Sequence, residues 1–272
     1  MKFLSIIIFS LFSVLQFQTE NYYIIKIKGK IYNESSGKLL KQGDAIKFDD
    51  KLKFTQKEAI ALVISDSRGR FTLRYPERPE ESVGALTVFV KNALTTSQLN
   101  NLSTRSLASG GSVNHLDTYL GNKTFNVIGN ELQINLSKKH YTVNKENKIV
   151  ARYELNNQKH LAELSTENQT IILSRSKFEL PDNDVFVLKK VNLYQLYVPT
   201  GKKKLIASAG IRFIDEKQLE KEFLIIIEKF NKGEMSKAKL NALLLGYFND
   251  FYGKTDDLKL NKYTAKLIRA CP

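Results

Sequence analysis

A metal centre or a proton shuttle in this chain would have to draw on three histidines, the only imidazoles present. His115, His140 and His160 fall in three different expected elements, with no H-E-x-x-H, H-x-H or Cys/His spacing among them. A zinc site would therefore need the fold, not one helix or hairpin, to bring them together. The single cysteine, Cys271, can make neither an internal disulfide nor a multi-thiolate site. Asp182-Asn183-Asp184 approaches a calcium loop but lacks its glycine and closing glutamate, and reads as a turn. Ser109-Gly110-Gly111-Ser112 departs from G-x-S-x-G and has no strand before it, so no serine nucleophile is expected there. Ala209-Gly210 stands where strands give way to helix, without the companion glycines of a dinucleotide loop. Paired carboxylates could cleave a glycoside, but 28 acidic residues spread along the chain single out no pair. These patterns nominate no catalytic residue, no metal ligand and no cofactor.

What remains is surface chemistry at bends. Gly43 and Asp44 form one such bend, and Arg68, Gly69 and Arg70 form another. At a sheet edge or barrel rim either could meet a partner; each also reads as an ordinary turn. The elements that position them run from Tyr22 to Tyr75. Ile25, Ile27 and Ile31 alternate with Lys26, Lys28 and Lys30, the period of a half-buried strand. Asn33 to Gly37 is a turn, runs through Ile46 and Phe48 and through Leu52 and Phe54 follow, and Ala59 to Ser65 is a nearly continuous apolar strand. Phe71, Leu73 and Tyr75 alternate again. Five or so short strands with Gly and Asp at the bends predict a small barrel or rolled sheet.

The order strand, G-K-x-L-x-x-G-D turn (Gly37 to Asp44), strand, apolar strand, R-G-R hairpin resembles the SH3-like, FecR-type domain of exported bacterial proteins. With Lys51-Leu52-Lys53-Phe54, the hairpin Ser65 to Leu73 and a late helix over Leu244 to Lys254, the chain is similar to a group of exported proteins of Bacteroidetes-type bacteria. The resemblance implies a small N-terminal SH3-like β-barrel and brings no activity with it.

Residues 1–20 read as a signal peptide: Lys2, an apolar run from Phe3 to Val14, then Gln16, Gln18, Thr19 and Glu20. An uncleaved N-terminal anchor is the alternative, because no A-x-A site follows. Export to a periplasm or exterior fits a chain with one cysteine. No later apolar segment approaches the length of a membrane helix. The net charge of +14 suggests nucleic acid, but it is mostly lysine in short runs at Lys138-Lys139, Lys189-Lys190 and Lys202-Lys203-Lys204. Arginine, the residue of base and bidentate phosphate recognition, is sparse. A nucleic-acid partner is not expected; another envelope protein or envelope polymer is.

The expected fold class is α+β, mostly β: a small domain over 21–78, a short helix and linker over 79–121, an antiparallel β-rich domain over 122–214, and a helical segment over 215–272 packed on that domain. Ser82 would cap the short helix, through Val83, Leu86, Val90, Ala93 and Leu94. Tyr194 and Tyr197 take opposite faces, one inward and one wet. At Asp215 the apolar period becomes helical, with Asp215 and Gln218 as a capping box. Ser236 caps a second helix stopped near Gly253, and Asp256 or Asp257 begins a third. The expected function is an exported, non-enzymatic binding or assembly protein of the bacterial envelope. The alternative is an envelope hydrolase acting on peptidoglycan or glycan through dispersed acidic residues.

Overall fold

The structure, a computed structural model, describes residues 21–65, 69–75, 83–86, 111–164, 168–181, 187–231 and 235–270. Strand accounts for 44% of it and helix for 26%, so the class is α+β and mostly β. The signal region, Arg68, the serine-rich segment before residue 111, Asp182 to Asp184, Gly233 and Cys271 lie outside the described residues. The chain divides into two compact units, Met1–Thr96 and Ser97–Pro272.

Among the described residues the first unit has eight short strands: β1 (Asn21–Lys28), β2 (Ile31–Asn33), β3 (Lys38–Leu39), β4 (Ala45–Lys47), β5 (Lys51–Phe54), β6 (Ile60–Ser65), β7 (Gly69–Arg74) and β8 (Val83–Ala85). They form two antiparallel sheets, ordered β4-β1-β6-β7 and β3-β2-β5-β8. Among the described residues neither closes into a barrel. The chain passes from the first sheet to the second at Gly29, whose φ of +79° only glycine adopts readily. A Cβ there would stand 2.9 Å from both Cα and Cβ of Ala59. Thr55 N and Oγ1 both donate to Lys30 O, tying the outgoing strand to this corner.

Tyr22, Ile24, Ile31, Leu52, Val63 and Phe71 are buried in one cluster shared by the sheets. Burying side chains of this size contributes about 1.5–3 kcal/mol each. The alternation expected for β1 holds only after Ile25. A register irregularity between Ile24 and Lys26 shifts the parity, so Tyr22 and Ile24 face the cluster before it and Ile27 packs there after it. Val83–Ala85, expected to start a helix, instead pairs as β8 with Lys51, Leu52 and Lys53. The rest of that expected helix, beyond Leu86, lies outside the described residues.

The second unit contains α1 (Leu116–Leu120), β9 (Thr124–Ile128), β10 (Glu131–Asn135), β11 (Asn147–Leu155), β12 (Gln158–Glu163), β13 (Thr170–Ser174), β14 (Val187–Tyr197) and β15 (Lys202–Ile214). Three helices follow: α2 (Glu216–Phe230), α3 (Lys237–Phe251) and α4 (Asp257–Ala270). A five-stranded sheet has the order β12-β11-β14-β15-β9, and β10 pairs with β13 in a separate ribbon. Phe125, Ile134, Ile149, Ile171, Leu193 and Phe213 belong to one buried cluster contributed by both. The sheet is antiparallel except for its last pair: β9 runs parallel to β15, with Thr124 opposite Gly210. That departs from the wholly antiparallel expectation. Tyr194 and Tyr197 also depart, since neither enters the core; Tyr194 is half-buried and Tyr197 exposed.

The helix boundaries follow their caps. Asp215 Oδ1 accepts from Gln218 N at 3.0 Å, and Ser236 Oγ from Lys239 N at 3.3 Å. Asp256 Oδ1 accepts from Lys259 N at 2.6 Å at the start of α4. The connection between α3 and α4 lies along the free side of β9. Asn126 N donates to Lys254 O, and Thr255 Oγ1 to Asn126 O, so that sheet edge is covered. No helix among the described residues is long and apolar enough to cross a membrane.

Candidate functional site

In the first unit a groove of about 410 Å³ opens beside strands β3 and β4. Its lining includes Asn33, Ser35, Lys38, Asp44, Lys47 and Asp50. Both strands are the outermost of their sheets among the described residues, so the groove runs beside two unpaired sheet borders. Asn33 is 5% exposed, and its position is fixed at both ends of the amide. Nδ2 donates to Asp50 Oδ2 at 2.8 Å, while Oδ1 accepts from Ser36 N at 3.2 Å. Asp50 Oδ2 also accepts from Lys47 N at 2.9 Å, and Ser35 Oγ accepts from Lys51 N at 3.0 Å. The turn after β2 and the bend before β5 are thus stitched together beneath the groove.

Asp44 lines this groove, and Gly43 precedes it in the same bend. Gly43 has φ +91°, its N–H donates to Ile24 O at 2.8 Å, and Ile24 N donates to Asp44 O at 2.9 Å. These bonds hold the bend against β1 at its irregularity. Asp44 Oδ2 accepts from Lys41 N at 2.7 Å and closes its own turn. Gly43 thus shapes the bend that carries Asp44, and Asp44 lines the groove. The second nominated group does not join them. Ala45 stands opposite Tyr23, Tyr23 opposite Ile64, and Ile64 opposite Arg70. Gly69 and Arg70 thus lie on the far border of the sheet, three strand spacings or about 14 Å away. Arg68 lies outside the described residues.

Asn33, Ser35, Lys47 and Asp50 were not nominated by the sequence. The only sign of them was a polar turn and an Asp-Asp-Lys interruption, patterns that every loop shares. Chemically the groove offers carboxylates, ammonium groups, hydroxyls and amides at close quarters. Such groups can hydrogen-bond a polar chain.

Two polar clusters occupy the second unit. Glu222 of α2 is fully buried and accepts from Tyr247 OH at 2.8 Å and Tyr252 OH at 2.6 Å. Burial first, and the Glu222 charge second, push both phenols well above the ordinary tyrosine range. The other cluster surrounds the connection between α3 and α4. Tyr119 OH donates to Asp256, Lys254 Nζ to Thr118 O, and Lys259 Nζ to Ile128 O and Glu131 O. Burial, and then the neighbouring Asp256, raise the Asp257 carboxyl. Tyr119, Lys254 and Lys259 thus tie this connection and the start of α4 to α1, β9 and β10.

The histidines are less dispersed than their sequence positions. His115 and His140 pack at a tilt with ring centroids 4.9 Å apart, while His160 stacks on Tyr153 and lies 3.4 Å from Glu179. Among the described residues, no three His, Cys, Asp or Glu side chains converge as a metal site would need. No protein-family model matches this chain, and no curated protein matches it.

Proposed function

We propose that this protein is an exported, non-enzymatic binding or assembly component of the bacterial envelope, and that the groove beside β3 and β4 receives an extended segment of its partner. The observation that carries this reading is the pairing of a polar groove with two outermost strands. An outermost strand presents backbone N–H and C=O groups that an incoming strand can satisfy, and side-chain pockets beside it supply selectivity. We read the first unit as SH3-like, on the strength of its short antiparallel strands and the sharp corner at Gly29. Export rests on the signal-like residues 1–20.

The hydrolase alternative draws on one observation, the raised carboxyl of Asp257. Its neighbour Asp256 already caps α4 and accepts from Tyr119, which fits a fastening role better than catalysis. Site-specific photo-crosslinking of the full chain in its native envelope tests the proposal. A probe at Lys47 should capture a discrete partner that a probe at Arg74, on the far border strand β7, does not. Equal capture from both positions, or cleavage of envelope glycan by the purified chain, would overturn it.

A further inference from the structure

The hairpin joining β14 to β15 carries its chemistry away from the core. Tyr197 is 38% exposed, Val198 47% and Leu205 54%, high values for three large apolar side chains on one hairpin. Lysines stand between them in register. Leu196 lies between Lys148 on one neighbouring strand and Lys203 on the other, and Tyr197 lies between Asn147 and Lys202. Lys204 continues the run opposite Gln195. Val198 N donates to Glu146 O, which brings the Lys145 turn against the hairpin tip. Two acids are nearby: Glu146 in that turn, and Glu163, which Lys148 Nζ contacts at 2.9 Å. Cations predominate here, and the three consecutive lysines from Lys202 to Lys204 are all exposed.

From this geometry we infer that the tip of the β14–β15 hairpin is a docking surface for an anionic lipid bilayer. Charge complementarity selects an anionic partner, and two features select lipid among anions. The charges are lysines, point cations suited to headgroup phosphates and lacking the planar fork that reads a particular carboxylate geometry. Apolar side chains alternate with them, as they do on surfaces that enter the headgroup boundary, and tyrosine is at home at that depth. At the tip β14 is paired on both sides, with β11 and with β15, whereas β9 reaches β15 only from Gly210 onward. In the docked state Val198 and Leu205 enter the interface while the lysine ammonium groups remain at phosphate level.

Vesicle flotation of the full chain tests the inference. Vesicles of phosphatidylcholine with about one-third phosphatidylglycerol should retain about tenfold more protein than phosphatidylcholine alone, and 0.5 M salt should abolish the difference. The variant K202E/K203E/K204E should lose that preference. The variant V198D/L205D should also lose it, with an unchanged melting curve because both residues are exposed. Equal retention on the two vesicle types would overturn the inference. So would unimpaired retention of V198D/L205D combined with full displacement by soluble polyglutamate, the result expected of a site for acidic protein.

Discussion

The phenol of Tyr247 donates to Glu222 Oε2 at 2.8 Å, and the carboxylate that receives it has no exposed surface. Tyr252 OH reaches the same oxygen and Gln218 Nε2 the other, at 3.3 Å. A buried carboxylate persists only where such donors replace water. Here the donors join α2 to α3 and to the residue that follows it. Tyr247→Phe keeps the ring and removes one donor, so unfolding of the second unit in urea should need about 2 kcal/mol less free energy. A loss below about 0.5 kcal/mol would mean that other partners sustain the charge.

The same cluster sets a response to alkali. Tyr247 and Tyr252, and likewise Tyr119 beside Asp256, have phenols raised in the folded state by burial and then by a neighbouring carboxylate. The unfolded chain ionises near pH 10. A raised folded value means that the native state holds the proton longer. Its contribution is complete below pH 10 and falls away as pH climbs above that. Absorbance at 295 nm should therefore show some of the twelve tyrosines titrating only when circular dichroism reports unfolding. Smooth titration of all twelve around pH 10, with the fold intact, would contradict this.

Two glycines with positive φ should behave differently. At Gly29 an added methyl would meet Ala59 backbone at 2.9 Å, whereas at Gly43 nothing lies within 4 Å. Gly43→Ala incurs the conformational penalty alone, about 1 kcal/mol. Gly29→Ala adds an overpacked corner, for a total of about 3 kcal/mol. Thermal melting of the first unit should rank the variants in that order.

Asn126 holds the connection between α3 and α4 through Nδ2, which donates to Tyr252 O at 2.8 Å and Lys254 O at 2.9 Å. Asn126→Ala leaves both carbonyls without those donors. It should cost about 2 kcal/mol and speed amide exchange around Lys254 and Thr255, with the exchange of β11 and β14 unaffected.

Arg70 provides a control for the proposed groove. Because it lies across the sheet from Ala45, the double change R68A/R70A should leave capture by a Lys47 probe unaltered. Loss of capture would move the partner site to the other border.

The α2 to α4 region was legible because its signals are local: Asp215, Ser236 and Asp256 each act within three residues of themselves. In β1 the apolar alternation was visible, but the irregularity beside Ile25 was not, because a bulge leaves no composition of its own. The parallel pairing of β9 with β15 was hidden for another reason. Periodicity says which face of a strand is buried and nothing about which distant strand lies beside it. The same holds for the groove: Asn33 and Asp50 are seventeen residues apart, and only the pairing of β2 with β5 brings their side chains together. Asp44 stood out because its Gly-Asp turn is a contiguous word.

The binding of Thr255 to the Asn126 carbonyl spans 129 residues, and that of Lys254 to Thr118 spans 136. A chain emerging residue by residue can complete the small first unit early. The border of β9, by contrast, has no cover until the last helices arrive. During that interval it presents unpaired backbone groups to other strands. Synthesis order thus exposes the β9 border for a limited interval, which ends when the residues around Lys254 and Thr255 arrive.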